Sequence, residues 1–176
     1  MKRSVILDTE TTGLDFDKDR IIEIACLELI DNVFTGKKFH HYYNPGNIVI
    51  NKQSEEIHGL SNDFLKEYSS FESEIQHFIE FIGDSQLIIH NVQFDLNMIN
   101  NALIRVGEKK ISLEQTFCTL ELSKKKFPGS KNNLNALCRR FGISLEERDK
   151  HSAITDCFLL YQVFQELNGG KQGNLD

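Results

Sequence analysis

The stretch VILDTETTGLD, residues 5–15, consists of an apolar run followed by two carboxylates that a single residue separates. The run is typical of a buried strand, and successive side chains of a strand point to opposite faces, so Asp8 and Glu10 share one face while Thr9 lies on the other. Two like charges on one face raise each other's pKa unless a cation lies between them. A strand that ends in a solvated turn explains the stretch equally well, so a site is indicated only if further acids join this pair.

Length and composition indicate one folded domain in a reducing compartment. The 176 residues suffice for a single core that buries roughly two-thirds of the unfolded surface, and this domain is expected to span residues 1–168. The tail GGKQGNLD, residues 169–176, is expected to be flexible. Four widely spaced cysteines without a CxxC pair predict neither a disulfide nor a zinc site. The lack of a secretory start and of any apolar run approaching ~20 residues predicts a cytoplasmic protein that does not enter a membrane.

Charge is distributed unevenly along the chain. The net charge is −6, yet residues 124–150 carry eight Lys and Arg against three Asp and Glu. An acidic protein binds nucleic acid weakly by itself, because affinity for a polyanion comes from neutralised phosphates. The basic stretch can hold a phosphate backbone locally, although a solvated surface is an equally good explanation.

Hydrophobic patterning predicts three strands first and then strands that alternate with helices. Strands are expected at residues 4–8, 21–30, 33–43, 85–91 and 115–119, and helices at 52–57, 61–66, 71–82, 94–107, 118–126, 132–141 and 152–168. The opening strands form an antiparallel meander. The order of the elements predicts an α/β fold with a mixed sheet on which helices pack.

Asp95 and Asp156 each begin a helix stripe that is otherwise apolar. The residues that follow at helical spacing are Met98, Ile99, Ala102 and Val106 for Asp95, and Leu160, Val163 and Leu167 for Asp156. Ionised carboxylates are almost never buried without a partner. Each of these two acids therefore needs a cation or a hydrogen-bonding neighbour in the folded protein.

Convergence of Asp8, Glu10, Asp95 and Asp156 would indicate a metal site. Alone, each acid is explained better by capping or by pairing with a basic side chain. Together they match the preference of Mg²⁺ and Mn²⁺ for carboxylate oxygens and water. His151 precedes Asp156 by five residues, which would turn it away on a continuous helix, so we expect it in the loop before that helix. There a neutral imidazole could accept a proton from a metal-activated water.

The order of these motifs resembles the DEDDh family of 3′→5′ exonucleases. The motifs are DTE at 8–10, FD at 94–95 after IIHN, and HSAITD at 151–156. The connecting segments HGLSNDFL (58–65) and TFCTLELSKKKFPGSKNNLNALCRRFGI (116–143) are similar to the proofreading group of that family, the epsilon subunits of bacterial DNA polymerase III. The resemblance covers nearly the whole chain, and five motif residues in the right order are more specific than any one motif.

The resemblance implies a fold and a reaction. The fold would be an RNase H-like sheet of three antiparallel and two parallel strands, flanked by helices. The enzyme would be a 3′→5′ exodeoxyribonuclease that releases 5′-monophosphates and proofreads during DNA replication, with two divalent cations, Mg²⁺ or Mn²⁺. Asp8, Glu10 and Asp156 would bind the cation that carries the attacking water. Asp8 would bridge to the second cation, Asp95 would help through water, and His151 would be the general base.

The resemblance also implies substrate contacts and partners. The single-stranded or frayed 3′ end of DNA would meet the backbone at Thr11, with Leu14 as a wedge beside the last bases. His58, Asn91 and Phe94 would line the nucleotide pocket, although ordinary packing explains Leu14 and Phe94 nearly as well. The protein partners implied are the alpha subunit of DNA polymerase III and a small accessory subunit.

Two features depart from the proofreading group. That group continues past its nuclease domain into a flexible segment that binds the polymerase, whereas this chain has only eight residues after 168, so either it is a truncated chain or it attaches to a polymerase differently. In HSAITD, Ser152 follows the histidine, which preserves the His-to-Asp spacing and is not expected to disturb the mechanism.

Three alternatives remain from the sequence alone. A DEDDh exoribonuclease would act on RNA 3′ ends, as ribonuclease T and oligoribonuclease do. A haloacid-dehalogenase-type phosphatase also places a D-x-D-x-T motif after an apolar strand, but here the second acid is Glu10. A catalytically silent binding module of the replisome is the alternative outside enzymes, and the presence of all five motif residues argues against it.

Overall fold

A five-stranded sheet forms the centre of the computed structural model, which describes residues 1–169. The predicted tail lies outside the described residues from residue 170 onward. The strands are β1 (Arg3–Thr11), β2 (Ile21–Ile30), β3 (Val33–Tyr42), β4 (Gln86–Ile89) and β5 (Thr116–Cys118), and their order in the sheet is β3-β2-β1-β4-β5. β1, β2 and β3 pair antiparallel, whereas β4 pairs parallel with both β1 and β5. The predicted mixed sheet of three antiparallel and two parallel strands is confirmed.

Seven α-helices and one short 3₁₀ helix, Leu113–Gln115, accompany the sheet within the described residues. The α-helices are α1 (Lys52–His58), α2 (Asn62–Leu65), α3 (Phe71–Ile82), α4 (Val92–Arg105), α5 (Thr119–Lys126), α6 (Leu134–Arg140) and α7 (Ala153–Gly169). Several begin at a side-chain cap, as where Asn51 accepts from the backbone of Gln53 and Ser70 from that of Ser73. These caps satisfy amide groups that the first helical turn leaves without partners.

The two faces of β1 contribute to two different cores. Val5 and Leu7 belong to a core with residues of α3 and α4, whereas Ile6 belongs to a core with residues of α7. Since side chains alternate along a strand, Thr9 continues the α4 face, and Asp8 and Glu10 continue the α7 face. The central strand therefore ends with polar groups directed toward both helices that carry the other acids.

Most predicted elements are found, but several boundaries differ. The strand expected at 4–8 continues to Thr11. The strand expected at 85–91 spans only Gln86–Ile89, and the helix expected at 94–107 spans Val92–Arg105. Asn91 adopts a left-handed conformation with φ 70°, which ends the extended backbone and starts the helix two residues early. Val106 is wrongly placed on the buried stripe, because the helix has already ended there and its side chain is 39% exposed.

The remaining composition-based expectations concern cysteines and membranes. The four cysteines are free thiols; Cys118 is only partly buried and the other three are buried. Within residues 1–169, no helix has the length and apolar character that a membrane span needs.

Candidate active site

A groove lies where β1 and β4 end and where α4 and α7 begin. Residues of both strand ends, of helices α4, α6 and α7, and of the loop before α7 line it: Asp8, Thr9, Glu10, His90, Asn91, Phe94, Asp95, Leu134, Arg148, His151 and Asp156. β1 and β4 are parallel neighbours, with Ile6 opposite Ile88, so their carboxyl ends meet at the same edge of the sheet. The structure thus brings all four predicted acids and the predicted histidine into one groove.

Asp8 and Glu10 lie on the same face of β1, as the alternation predicts. A register shift follows Glu10, which itself lies opposite Glu23 of β2. Burial, and then the charge of Asp95, raise the pKa of Asp8 well above its usual range. Burial, and then the charges of Asp156 and Glu23, raise the pKa of Glu10 to about 9. The strand end therefore concentrates more negative charge than it can hold ionised without a cation.

Asp95 reaches the groove from the first turn of α4. Its Oδ1 accepts hydrogen bonds from the backbone N–H of Thr9 at 3.2 Å and from the Thr9 hydroxyl at 2.7 Å. Burial raises the pKa of Asp95 to about 7, although the bonds from Thr9 oppose that change. Thr9, on the opposite face of β1 from its acidic neighbours, thereby fixes the fourth carboxylate against the same strand.

Asp156 and His151 meet at the start of α7, with Arg148 between them. Asp156 is only 4% exposed, and its two carboxylate oxygens accept from Nε and Nη2 of Arg148, both at 2.6 Å. Nδ1 of His151 lies 3.1 Å from Nη2 of Arg148 and 3.6 Å from Oδ2 of Asp156. Burial, and then the charge of Arg148, lower the pKa of His151, which keeps the ring neutral at pH 7. As predicted, His151 lies in the loop before α7, which begins at Ala153.

Several backbone and side-chain bonds fix the loop that carries His151. The His151 N–H donates to the carbonyl of Ile57 at 3.0 Å, and Lys150 Nζ donates to the carbonyl of Glu56 at 2.6 Å. The Ser152 hydroxyl donates to Glu23 Oε1 at 3.2 Å. The loop is therefore attached both to the end of α1 and to β2, and Ser152 contributes to that attachment.

The donor set of this groove fits a divalent cation. Glu10, His151 and Asp156 each offer a ligand atom, and these three atoms lie within 4.8 Å of one another. Among the described residues that line the groove, Arg148 is the one permanently charged base, against four carboxylates. Oxygen-rich sites with one imidazole suit Mg²⁺ or Mn²⁺ better than softer metals. Because the charges of neighbouring acids raise the pKa of Asp8 and of Glu10, a divalent cation would relieve the repulsion that protonation otherwise relieves.

Of the predicted substrate residues, Asn91 and Phe94 line this groove, whereas Thr11, Leu14 and His58 are not among the residues that line it. Leu14 is 77% exposed, and Phe94 is partly buried against Phe16, with ring centroids 5.8 Å apart. Asn91 is exposed at the start of α4. His58 is buried; its Nδ1 accepts from the N–H of Leu60 at 3.0 Å, so its Nε2 donates to the carbonyl of Thr11 at 3.1 Å. The bond to Thr11 fixes the backbone there, and the two bonds together occupy both nitrogens of His58.

Sequence reasoning missed three residues that shape the site: Thr9, Glu23 and Arg148. Glu23 lies on a predicted strand, and the alternation could have placed it beside Glu10 had the strand register been known. Thr9 directly follows the strand predicted at 4–8, which in the structure continues to Thr11. Arg148 was counted only as part of the basic stretch 124–150. No helical or strand periodicity predicts its pairing with Asp156, because Arg148 lies in an irregular loop.

Comparison with known proteins assigns the class of the molecule. The model of the Exonuclease family (RNase_T) matches residues 5–164, so the chain belongs to this family and is an exonuclease. It is similar to proteins named DNA polymerase III subunit epsilon. It is 44% identical to that of Rickettsia conorii, over 97% of this chain and 75% of the relative, and 33% identical to that of Salmonella typhimurium, over 96% and 72%. The resemblance found in the motifs is confirmed, and the phosphatase and the silent module are set aside.

Solved structures agree on the fold. The chain is similar to exonuclease X in a complex with 5′-overhanging duplex DNA, with a TM-score of 0.70 and 26% identity over 95% of this chain and 90% of the other. It is also similar in fold to a structure of exonuclease I, with a TM-score of 0.84 and 15% identity over 95% of this chain and 40% of the other. The RNase H-like architecture expected from the resemblance is thereby confirmed.

Proposed function

We propose that this exonuclease removes nucleotides from the 3′ end of DNA as 5′-monophosphates and proofreads during replication. The observation that carries the proposal is the convergence of Asp8, Glu10, Asp95, Asp156 and His151 in one groove. The names of the relatives, DNA polymerase III subunit epsilon, support DNA as substrate and replication as context.

The carboxylates are the part of the site that would hold divalent cations. Asp8, Glu10 and Asp156 would provide the direct ligands, Asp8 would be shared by two cations, and Asp95 would act through water. When bound, Mg²⁺ or Mn²⁺ supplies a more acidic water and neutralises charge on the phosphate that is cleaved. The protein's own contribution is to fix Asp95 through Thr9 and to hold the acids on the ends of two rigid helices and a strand.

His151 is the proton acceptor in this proposal. Its ring is neutral at pH 7 because burial and Arg148 lower its pKa, and a neutral imidazole has a lone pair that can accept a proton. The side chain is 44% exposed and borders the carboxylates, so it can reach a water molecule in the groove. The backbone bond from His151 to Ile57 keeps the ring at that edge.

The surroundings of the groove suit the end of a nucleic-acid strand. Leu14 presents an apolar side chain to solvent close in sequence to Glu10, which suits a wedge against a base. Phe94 and Asn91 line the groove and offer a ring face and an amide. The bond from His58 holds the carbonyl of Thr11 in place, next to where the terminal 3′-hydroxyl would bind.

A polymerase partner completes the proposal. The net charge of −6 opposes tight binding to DNA, since affinity for DNA depends on neutralised phosphates. Attachment to the alpha subunit of a polymerase would raise the local concentration of the primer end without strong DNA contacts of the nuclease itself. A small accessory subunit would bind outside the groove.

The decisive experiment compares strand ends and sugars in one assay. Single-stranded oligonucleotides of DNA and RNA, labelled at either end, are incubated with the protein and Mn²⁺, and the products are resolved. We expect 5′-monophosphates from the 3′ end of DNA. Release from the 5′ end, or faster hydrolysis of RNA, would contradict the proposal, and the second outcome would favour the exoribonuclease alternative.

Two substitutions test the assigned residues in that assay. Asp8→Ala is expected to abolish release, and His151→Gln to lower its rate by roughly 10²- to 10⁴-fold, the usual contribution of a general base. Arg139→Gln serves as the control, since Arg139 is exposed on α6 and does not line the groove. Unchanged rates in the Asp8 and His151 variants would contradict the mechanism.

A further inference from the structure

The guanidinium of Arg148 lies inside the cluster of acids. Nε and Nη2 bond the two oxygens of Asp156, Nη1 bonds Oδ1 of Asn135, and Nη2 faces Nδ1 of His151. The Arg148 side chain is only 5% exposed, as is that of Asp156. A buried, two-pronged Arg–carboxylate pair of this kind is much stronger than the exposed ion pairs on the surface.

Arg148 and a divalent cation need the same atoms. An oxygen of Asp156 is one of the three potential ligand atoms that lie within 4.8 Å of one another. Both Asp156 oxygens accept from Arg148, and the guanidinium fork fits only when both are available. A cation on either oxygen would have to share an atom that already accepts from Arg148, and it would bring two positive charges together, which favours displacement of the guanidinium.

Arg148 also occupies His151. A guanidinium only donates hydrogen bonds, so Nδ1 of His151 is the acceptor in their 3.1 Å contact. The lone pair that faces Arg148 is therefore occupied. Release of Arg148 from Asp156 would free this ring nitrogen in the same movement.

We propose that Arg148 is an internal counter-cation that competes with the divalent cation for Asp156. In the cation-free protein it neutralises Asp156 and holds His151; binding of the cation displaces it and frees both groups. Arg148 is then a positioning residue, and it weakens the cation affinity of the protein without DNA. The inference rests on the proposed function, because it requires that Asp156 binds a cation.

The competing explanation predicts the opposite change in metal affinity when Arg148 is replaced. Arg148 could instead orient Asp156 through hydrogen bonds while Asp156 binds the cation. In that case removal of Arg148 should weaken the metal affinity, typically by about 10- to 100-fold. If Arg148 competes, its removal should strengthen the affinity, because the cation no longer has to displace it. A binding measurement therefore separates the two roles without any assay of activity.

The test measures Mn²⁺ binding to the DNA-free protein by electron paramagnetic resonance of free Mn²⁺. Arg148→Gln is expected to bind Mn²⁺ about tenfold more tightly, a change of about 1.4 kcal/mol. Arg139→Gln removes one exposed positive charge from α6, whose residues share a core with those of α7, and should leave the affinity near that of the parent. An unchanged or weaker affinity in Arg148→Gln, or an equal gain in Arg139→Gln, would overturn the inference.

Two further variants keep the outcome unambiguous. Arg148→Lys keeps the charge but cannot hold both oxygens of Asp156, so this variant should also bind Mn²⁺ more tightly than the parent. If Arg148→Gln fails to fold, the Lys variant decides the question, and binding equal to or weaker than that of the parent overturns the inference. Asp156→Asn tests the proposed function itself. Loss of Mn²⁺ binding in Asp156→Asn with no gain in the Arg148 variants rejects only the inference, whereas unchanged binding in Asp156→Asn rejects the proposed metal site.

Discussion

At the scale of single residues, three consecutive positions of β1 organise the site. Asp8 and Glu10 face α7, and Thr9 faces α4. The side chains of one strand end are therefore directed toward the acids of both helices. Thr9 is 6% exposed and donates two hydrogen bonds to Asp95. A residue between two acidic side chains thus determines where a third acid lies.

Replacement of Thr9 tests this role. Thr9→Val keeps the shape and the backbone bond but removes the hydroxyl bond to Asp95. We expect the free energy of unfolding to fall by about 1 kcal/mol, the usual value of one such bond, and exonuclease activity to fall because Asp95 is less well fixed. Urea unfolding and the oligonucleotide assay measure the two effects.

The conservative variant Thr9→Ser is the matched control. It restores the hydroxyl and should recover most of the activity. If Thr9→Val were fully active, the position of Asp95 would not depend on this bond.

At the scale of elements, the junction between β4 and α4 decides where Asp95 enters the groove. Asn91 has φ 70° and ends β4, so that α4 begins at Val92 and Asp95 falls in its first turn. Only glycine and, less readily, asparagine adopt this conformation at low cost. Because Asn91 also lines the groove, its backbone and its amide can serve different purposes.

Two substitutions at Asn91 separate these purposes. Asn91→Gly keeps the left-handed backbone but removes the amide, whereas Asn91→Ala strains the backbone as well, at a cost of about 1 kcal/mol. We expect the Gly variant to keep the stability of the parent and to show a higher KM for DNA, and the Ala variant to be less stable with the same change in KM. Thermal unfolding and steady-state kinetics measure both, and an unchanged KM in the Gly variant would show that the amide does not contact substrate.

At the scale of the whole molecule, the fold holds an excess of acids at one edge of the sheet. The pKa of Glu10 is raised from 4.5 to about 9, mainly by burial and the charges of Asp156 and Glu23. In the unfolded chain Glu10 is ionised above pH 5, so between pH 7 and 9 the folded protein binds more protons than the unfolded chain. Stability contributed by such a group falls as pH rises through this window.

The pH dependence of stability follows from this difference in bound protons between the folded and the unfolded protein. In EDTA, the Tm of the protein is expected to fall between pH 7 and 9, and less so in Glu10→Gln, which stays neutral throughout. His41, His58, His90 and His151 do not confuse this comparison, because burial lowers the pKa of each below the ordinary 6.5 and they are already neutral at pH 7. Calorimetry of both proteins at the two pH values is the measurement.

Addition of Mn²⁺ gives the complementary result. The cation should raise the Tm of the parent most at pH 9, where more of the acids are ionised, and should have a smaller effect on Glu10→Gln. A parental Tm that rises from pH 7 to pH 9 in EDTA would contradict the assigned electrostatics.

The sequence by itself determined the strand-end acids, the apolar stripes of Asp95 and Asp156, the loop position of His151 and the mixed sheet. These follow from local periodicity: side chains alternate along a strand and repeat along a helix, so the face of a residue can be predicted from its neighbours. Errors arose where a single backbone conformation overrides periodicity, as at Asn91 and Val106.

Only the tertiary structure decided how the acids are held and what neutralises them. The bonds of Thr9 to Asp95, of Ser152 to Glu23 and of Arg148 to Asp156 join an element to another element or to a loop. Arg148 lies in an irregular loop whose path is set by its contacts with α1, β2 and α7, and no local pattern specifies such contacts. A carboxylate can be recognised from the sequence, but the cation beside it depends on which distant segment the fold brings there.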